Sequence, residues 1–528
     1  MSTTTTNLSL VKPERTDRVD ITVIDDDLDL IDAAVASRIS TSTFKKLRVR
    51  DTASRSIGKV PSLMASPPTV TSRSRAYPFT TGTAIASPKM YFADSASFAC
   101  RGGTASYTLF GGSVPAIVSA AYSSGQTSRS PFTVAFRLNS VLGTIEVVTK
   151  NGSGTSMRVL VDGEYVTFPD ATFLNSTNDG GATIYSIEVG TGWRDVEIEA
   201  AGGATFLGII AGPNDTIRPS HFKPRQKWAW VGASFEESTV VDSSSTTMSS
   251  WGYPKYVGQM LGVDVVTCAK GGTGYINPGP GVKMHDRLSD LTDLAPDVVV
   301  WGGSMPMNDE GYGSYSQATQ AAQIAACFDD VTAALPNAVQ IVLGPFWTRG
   351  RLVMPGRIFE VRDTLKTAAD SRGFPYIEML APAPPSTVLT PAATTLTSST
   401  NAGATSIVCP GQLLSTASYQ IVAGQTIIQI GSGATAELRA IQTRTAGSGT
   451  WTYGVNDAGN SLAYAHDAGE PVTVVADGFV TGTGTQTHPS GSGNADLFVG
   501  GDSTHPTMAG HVNLAEYVYS RLTLLLDA

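Results

Sequence analysis

Trp228-Ala-Trp-Val-Gly-Ala-Ser234 is an apolar run that ends in a glycine turn and a serine. Its apolar part, 228–231, is typical of a strand that is buried on both faces. Further runs of this kind lie at 263–268, 297–301, 339–343 and 376–380, and helical patterns lie near 250–262, 283–292, 314–335 and 355–371. Strands that alternate with helices predict a parallel sheet with helices on both faces. Such a sheet binds ligands at the carboxyl ends of its strands.

The sequence on either side of this α/β segment has a different pattern. Residues 86–223 carry short alternating runs and the hairpin dipeptides Asn151-Gly and Asp162-Gly, which predict a jelly-roll-like β-sandwich. Residues 386–496 are rich in Gly, Ser and Thr and predict an inserted small β domain. The helical pattern returns at 507–526. We therefore predict five segments: an arm and linker (1–85), the β-sandwich (86–223), the first part of the α/β domain (224–385), the insertion (386–496) and the last part of the α/β domain (497–528).

Composition excludes several classes of protein. The 528 residues have a net charge of −9 and no basic excess on the scale of a domain, which argues against a nucleic-acid binder. Only the segment 36–85 is locally basic, and no aromatic residues interleave with its charges over residues 45–75. No apolar run approaches the roughly 18 residues of a membrane-spanning helix, so we predict no membrane span. The first residues show no signal-peptide pattern. The four cysteines form no C-x-x-C pair, which argues against a zinc ribbon or a disulfide scaffold.

Two separate stretches together suggest nucleophilic catalysis. Ser234 follows the first strand of the α/β segment, and Asp502 precedes His505 by three residues in Asp502-Ser-Thr-His505-Pro. A carboxylate at that spacing can orient the imidazole as a general base. Taken alone, Ser234 fits a turn or a helix N-cap, and the Asp–His pair fits a metal site or a helix cap. Together they predict a Ser-His-Asp triad.

Two further loops offer hydrogen-bond donors at the same sheet edge. The second strand is followed by Gly271 and Gly272, and the third strand by Trp301-Gly-Gly-Ser-Met-Pro-Met-Asn308-Asp. One glycine N–H, the Asn308 side chain and the Ser234 N–H would form an oxyanion hole. The spacing leaves Gly271 and Gly272 as alternatives, and each loop alone could be a simple turn.

The order of these motifs resembles the SGNH (GDSL-like) hydrolase family over residues 225–385 and 497–528. Gly232-Ala-Ser234 matches the first block, and Gly272, Asn308 and Asp502-Ser-Thr-His505 match the others. The resemblance implies a flavodoxin-like three-layer α/β fold and an esterase without metal or cofactor. It also implies that Ser234 is the nucleophile, His505 the base and Asp502 its orienter. Two positions depart from the family pattern: Ala233 replaces an Asp, and the third block, usually G-x-N-D, is stretched.

The amino-terminal stretches 12–23 and 27–32 resemble the opening of phage tail-fibre and tail-spike proteins. The segment 386–496 is similar to small β modules of phage structural proteins. These resemblances imply a virion location, attachment to tail or baseplate proteins through the arm, and action outside the cell on the host surface. They also imply a homotrimer, although no heptad seam supports one.

Three functional hypotheses follow. The first is a phage tail-associated serine esterase that removes O-acyl groups, with O-acetyl the leading expectation, from a host cell-surface polysaccharide. The second is a catalytically inactive receptor-binding tail protein, suggested by Ala233 and the stretched Asn308 loop. The third, a cellular lipase or cell-wall esterase, would need an export signal. Tyr165 and Trp193 are candidate sugar contacts if they are exposed.

Overall fold

The computed structural model describes part of the chain. The described residues are 3–4, 11–12, 64–68, 70–75, 79–80, 83, 85–101, 103–107, 114–119, 131–150, 157–166, 181–200, 204–220, 226–241, 245–247, 252–310, 315–346, 357–380, 393–410, 427–455, 461–476, 502 and 504–526. Most of the predicted arm and linker therefore lies outside the described residues, as do residues 13–32 and the Asn151-Gly dipeptide. No helix in the described ranges is long and apolar enough to span a membrane.

The amino-terminal β region contains fifteen strands among the described residues. They are β1 (Thr3–Thr4), β2 (Val11–Lys12), β3 (Val70–Arg75), β4 (Lys89–Phe92), β5 (Ala99–Arg101), β6 (Gly103–Tyr107), β7 (Pro115–Ser119), β8 (Phe132–Ser140), β9 (Thr144–Lys150), β10 (Met157–Val161), β11 (Glu164–Tyr165), β12 (Ala182–Glu188), β13 (Gly192–Ala200), β14 (Thr205–Ala211) and β15 (Thr216–Pro219). The Asp162-Gly163 dipeptide joins β10 to β11 with positive φ at both residues, as its sequence predicts for a tight hairpin.

Two antiparallel sheets hold thirteen of these strands, and β1 pairs with β2 in a separate two-stranded sheet. One has the strand order β11-β10-β13-β8-β15, with β5 also on β8, and the other β3-β12-β9-β14-β7-β6, with β4 also on β14. Apolar side chains from both sheets, such as Val134 and Ile198 from the first and Val147 and Ile209 from the second, pack into one core. Along β8, alternation places every second residue from Phe132 to Leu138 in that core.

A parallel sheet and its helices follow. The elements are β16 (Lys227–Gly232), the short hairpin β17 (Thr239–Val241) and β18 (Ser245–Thr247), α1 (Tyr253–Leu261), β19 (Asp264–Ala269), a 3₁₀ helix (Met284–Arg287), α2 (Ser289–Leu294), β20 (Val298–Trp301), α3 (Ser304–Glu310), α4 (Gln317–Ala334), β21 (Val339–Leu343), α5 (Arg357–Asp370) and β22 (Tyr376–Ile377). The parallel strand order is β19-β16-β20-β21-β22, which is the flavodoxin-like order. The predicted α/β fold class with a parallel sheet is thus confirmed.

The two faces of the parallel sheet are covered by different helices. Trp228 and Trp230 of β16 face a core that includes residues of α1 and of α6 (Met508–Leu526), the last helix of the chain. Ala229 and Val231 face the other core, with residues of α4 and α5. This arrangement explains why the strands read as continuous apolar runs: both faces are buried.

The second β region lies between β22 and α6. Its strands are β23 (Ala393–Thr395), β24 (Ser406–Cys409), β25 (Ile427–Ile430), β26 (Glu437–Ala440), β27 (Thr443–Ala446), β28 (Trp451–Gly454) and β29 (Pro471–Ala476). They form two antiparallel sheets, β23-β29-β25-β26 and β24-β28-β27. Leu438 and Ala440 of β26 belong to the same core as β16 and α6, so this region packs against the α/β layers.

A buried polar network joins the amino-terminal β region to α1. Arg158 Nε donates to Glu199 Oε2 at 2.6 Å, and Gln259 Nε2 of α1 donates to Glu199 Oε1 at 2.7 Å. Lys255 Nζ lies 3.4 Å from the same carboxylate. Burial alone raises the pKa of Glu199, but the charges of Arg158 and Lys255 outweigh it and lower the pKa to about 2. The carboxylate is therefore ionised at this contact.

Replacing Arg158 by Ala should destabilise the protein by about 3–5 kcal/mol, because it leaves the Glu199 carboxylate buried without its nearest cation. The measurement is the midpoint of urea-induced unfolding, monitored by tryptophan fluorescence. Arg194→Ala is the matched control, since it breaks a solvent-accessible pair with Asp162 and should cost less than about 1 kcal/mol. Equal losses in the two variants would contradict the prediction.

Candidate active site

The predicted site residues meet at one edge of the parallel sheet. Ser234 follows β16, Gly271 and Gly272 follow β19, and Asn308 lies in α3 after β20. Strand β16 sits between β19 and β20, where the chain changes direction across the sheet. A crevice forms outside the carboxyl ends of the strands at such a switch point.

Ser234 begins the turn that leaves β16. It is buried, with 7% of its surface exposed, and its carbonyl accepts from the Thr239 N–H at 2.9 Å. The ring of His505 lies 5.8 Å from the ring of Phe235, centre to centre. The imidazole from the carboxyl-terminal part of the chain therefore lies beside the residue that follows Ser234.

Asp502 holds His505 through a local turn. Asp502 Oδ2 is 2.5 Å from His505 Nδ1, and Oδ1 accepts from the Thr504 and His505 N–H groups at 3.0 Å each. Partial burial raises the pKa of Asp502, but these hydrogen bonds outweigh it and hold the pKa below its ordinary value. An ionised Asp502 on Nδ1 leaves Nε2 of His505 to act as the base.

The two glycines after β19 differ in what their N–H groups contact. The Gly271 N–H donates to Glu237 Oε2 at 2.7 Å. Gly272 has a φ of +75°, and within the described ranges its N–H has no intramolecular acceptor. The geometry therefore favours Gly272 over Gly271 as a backbone donor, because the Gly271 N–H is already occupied.

Asn308 lies against the same loop. Its Nδ2 donates to the Thr273 carbonyl at 2.9 Å, which uses one of the two amide hydrogens. The sequence suggested a stretched loop here, but residues 304–310 form α3. Pro306 is tolerated because it lies in the first turn, where no intrahelical hydrogen bond to its nitrogen is needed. The extra residues of this block thus form a helical turn that carries Asn308 back to the glycine loop.

Replacing Asn308 by Ala should lower kcat about 10²–10³-fold with little change in KM, since this is the usual loss for one oxyanion-hole donor. The measurement is steady-state hydrolysis of p-nitrophenyl acetate. A thermal melt of the same preparation shows whether the variant is folded. An unchanged kcat in a folded variant would remove Asn308 from the oxyanion hole.

Two buried carboxyl groups support these loops, and sequence reasoning assigned a role to neither. Asp309 accepts from the backbone N–H groups of Tyr275, Ile276 and Asn277 at 2.9–3.0 Å, and burial outweighs these bonds to raise its pKa to about 6. Asp309 therefore fixes the loop that follows Gly272. Asp309 directly follows Asn308 in the sequence, and this was the signal by which its role could have been found.

The second carboxyl group, Glu236, lies beneath the turn that leaves β16 at Ser234, called the serine turn below. It accepts from Tyr253 Oη at 2.5 Å and from the Ala233 N–H at 2.9 Å, and it also contacts Ser304 Oγ. Burial raises its pKa. Ala233 has no carboxylate, and Glu236 supplies a buried carboxyl group to the same turn. Its neighbour Glu237 has the same side chain, so which of the two is buried could not be predicted from the sequence.

His511 ties α6 to the serine turn. Its Nδ1 accepts from the Tyr253 N–H at 3.2 Å, and its Nε2 lies 3.0 Å from the Thr239 carbonyl. These partners require a neutral ring with the proton on Nε2. Burial lowers the pKa of His511 to about 4. These contacts hold α6 against β17 and the start of α1.

Because the pKa of His511 is lowered in the folded protein, part of the free energy of unfolding should be lost at acidic pH. The unfolded chain binds a proton near pH 6.5 and the folded chain only near pH 4, so about 3 kcal/mol present above pH 6.5 should be lost as the pH falls to 4. The measurement is thermal unfolding of the wild type and of His511→Asn, which keeps an acceptor for Tyr253, at pH 7.5 and 5. The difference in stability between the wild type and His511→Asn should be smaller at pH 5 than at pH 7.5. A difference that stays the same at both pH values would contradict the lowered pKa of His511.

No metal site is apparent in the part of the chain that the structure describes: it holds no cluster of three or more His, Cys, Asp and Glu side chains placed to bind an ion. Of the two candidate sugar contacts, Tyr165 is buried and donates to Glu199 at 3.2 Å, so the prediction that it binds sugar is wrong. Strand alternation turns its side chain toward the contact with α1. Trp193 is exposed.

Comparisons with known proteins gave structural similarities alone. The chain matches no protein-family model and no curated protein. It is similar to a family two carbohydrate esterase from Cellvibrio japonicus, with TM-score 0.43 and 12% identity over 55% of this chain and 88% of that chain. It is also similar to an acetyl xylan esterase from the rumen bacterium Butyrivibrio proteoclasticus, with TM-score 0.38 and 11% identity over 55% of this chain and 90% of that chain. A putative GDSL-like lipase from Bacteroides ovatus is similar with TM-score 0.31 and 14% identity over 47% of this chain and 73% of that chain.

Proposed function

We propose that this chain is an SGNH-type serine esterase that removes O-acyl groups from a polysaccharide through an acyl-enzyme. The observation that carries the proposal is the Asp502–His505 pair, held at 2.5 Å beside the residue that follows the strand-end Ser234. The Gly272 N–H and the Asn308 amide lie on the neighbouring loops of the same sheet edge. Together these groups supply a nucleophile, a base with its orienter, and oxyanion donors.

The reaction follows from these positions. Ser234 Oγ attacks the acyl carbonyl while His505 Nε2 takes its proton, and Asp502 stabilises the imidazolium. The N–H groups of Ser234 and Gly272 and the Asn308 side chain donate to the oxyanion. His505 returns the proton to the departing sugar hydroxyl, which leaves the acyl group on Ser234. Water then attacks this ester with His505 again as the base, and carboxylic acid is released.

The biological setting is part of the same proposal. The resemblance of stretches 12–23 and 27–32 to phage tail proteins supports a tail-associated enzyme that attaches to tail or baseplate proteins and acts on a host cell-surface polysaccharide. O-acetyl is the proposed acyl group, and a homotrimer the proposed assembly. We also propose that the amino-terminal sheets form a β-sandwich domain (86–223) and that residues 386–496 are a β domain inserted into the hydrolase (224–385 and 497–528).

A second candidate is an inactive receptor-binding tail protein that keeps the hydrolase fold. Its motivation is Ala233, where the family pattern has Asp. In that case the cleft would bind glycan without turnover.

Active-site labelling distinguishes the two. The full chain is treated with a fluorophosphonate and digested, and the modified peptide is identified by mass spectrometry, beside assays of acetate release from acetylated xylan and from O-acetylated host-type polysaccharides. The esterase proposal predicts a single label on Ser234 and acetate release that the label blocks. No label and no release, with polysaccharide binding intact, would establish the receptor-binding candidate instead.

A further inference from the structure

A glycine-lined space beneath the serine turn holds the Glu236 side chain, which is fully buried. Gly232 ends β16, and Gly302 follows the neighbouring strand β20. A Cβ atom on either glycine would overlap with the Glu236 side chain. The carboxyl ends of these two strands therefore leave room for this one carboxyl group.

The Glu236 carboxyl group uses both of its oxygens. Tyr253 Oη donates to Oε1 at 2.5 Å, the Ala233 N–H donates to Oε2 at 2.9 Å, and Ser304 Oγ also donates to Oε2. The Ala233 N–H is shared, since it donates to Ser304 Oγ as well, at 3.0 Å. Ala233, Glu236 and Ser304 thus form a closed triangle of contacts directly before the proposed nucleophile.

Helix α3 connects this triangle to the glycine loop that follows β19. Ser304 is the first residue of the helix, and Asn308 lies four residues later, about one turn along the same face. Asn308 Nδ2 donates to the carbonyl of Thr273, the residue after Gly272. One short helix therefore has its first residue fixed beneath the serine turn and its amide donor fixed at the glycine loop.

The burial of Glu236 does more for geometry than for stability. Its described hydrogen-bond partners are two hydroxyl groups and one N–H, and none of them is a cation. Moving a carboxyl group out of water costs free energy that neutral hydrogen bonds offset only in part. The three bonds do fix the separation between segments that are distant in the sequence. Catalysis is sensitive to that separation, because a misplacement of about 1 Å can lower a rate about 10²-fold.

We propose that Glu236 is a positioning residue: through Ser304 it sets the distance between Ser234 and the side-chain amide of Asn308. The inference rests on the proposed function and deepens it, because it explains how an oxyanion donor on a separate helix is held at the right distance from the nucleophile. Glu236 acts in both halves of the reaction, since an oxyanion forms when Ser234 attacks the substrate and again when water attacks the acyl-enzyme.

The first test compares Glu236→Leu with Glu236→Gln in steady-state hydrolysis of p-nitrophenyl acetate by the full chain, each beside a thermal melt. Leucine has a comparable volume but accepts no hydrogen bond, so kcat should fall about 10²-fold with KM unchanged. Glutamine should keep kcat close to the wild-type value, because its amide oxygen can accept from Ala233 and Ser304 while its N–H₂ donates to Tyr253 Oη. A residue that supported only the fold would lower stability without this division between kcat and KM.

A double-mutant cycle tests the path through α3 without altering the buried carboxyl group. Ser304→Ala should lower kcat about tenfold in the wild-type chain, a loss within the range measured for residues that act as a unit. It should have no further effect in Asn308→Ala, because the donor that it positions is already gone. Thr364→Val is the matched control: it removes one buried hydroxyl group from α5, where Thr364 Oγ1 donates to the Glu360 carbonyl at 2.8 Å, and should leave kcat unchanged.

The outcomes separate this inference from the proposed function. Wild-type turnover with an unchanged kcat in folded Glu236→Leu would overturn the positioning role and leave the esterase proposal intact. Equal losses from Ser304→Ala in the wild-type and Asn308→Ala chains would show that Ser304 does not act through the amide, which would overturn the positioning role as well. If Glu236→Leu did not fold, the cycle alone would decide. A wild-type chain with neither turnover nor a fluorophosphonate label on Ser234 would overturn the proposed function, and the inference with it.

Discussion

Replacing Ser234 by Ala is expected to lower kcat for p-nitrophenyl acetate by about 10⁶-fold, the loss typical of removing the nucleophile of a serine triad. Without Oγ no acyl-enzyme forms, and the remaining rate comes from the oxyanion hole and from binding. The fold should be unaffected, because Ser234 is at a turn and its described hydrogen bond runs through its carbonyl. The measurement is steady-state kinetics beside a thermal melt.

Ser316→Ala is the matched control for this experiment. Ser316 caps α4 by accepting from the Thr319 N–H at 3.1 Å, far along the chain from the proposed triad. Its loss should cost about 1 kcal/mol of stability and leave kcat unchanged. If Ser234→Ala kept wild-type turnover, the nucleophile would have to be another group.

Replacing Asp502 by Asn should lower kcat by about 10⁴-fold while the chain stays folded. The amide can donate to His505 Nδ1, which stabilises the tautomer with its proton on Nε2. That tautomer cannot accept the Ser234 proton. The measurement is kcat across a pH series, where the loss should persist throughout the range in which His505 works as a base.

A second Asp–His contact provides the control for Asp502. His285 Nε2 lies 2.8 Å from Asp330 Oδ2, and both side chains reach the protein surface. Asp330→Asn makes the same chemical change to an Asp–His pair that lies outside the proposed site, so kcat should stay at the wild-type value. A loss below tenfold in Asp502→Asn would mean that His505 is oriented by another group.

The parallel sheet was predictable because its strands are buried on both faces. Each strand is a short apolar run set between turns or helical patterns, and Ser234, Gly272 and Asn308 follow such runs. Ser234, Asp502 and His505 carry local signals for the same reason: a strand-end serine and a carboxylate three residues before a histidine are visible without the fold.

The features that escaped prediction depend on contacts between distant segments. Helix α3 begins within a Gly-Gly-Ser-Met-Pro stretch that has weak helical propensity, and it is held where Ser304 contacts Glu236 and Asp309 accepts from the β19 loop. Tyr165 and Trp193 both lie in alternating strands, so their exposure depends on where α1 packs. Glu236 and Glu237 are adjacent and have the same side chain, and only the folded turn shows that Glu236 is the one buried beneath it.

The contacts of His511 have a consequence for the order in which the molecule forms. His511 of α6 bonds to Tyr253 and Thr239, which precede it by 258 and 272 residues. Contacts of such separation form late, and synthesis proceeds from the amino terminus. Until residues 505–526 have been synthesised, the nascent chain has neither His505 nor the helix that shares a core with Trp230. The proposed activity would therefore require synthesis to have passed α6, and fragments that end before His505 should show no turnover.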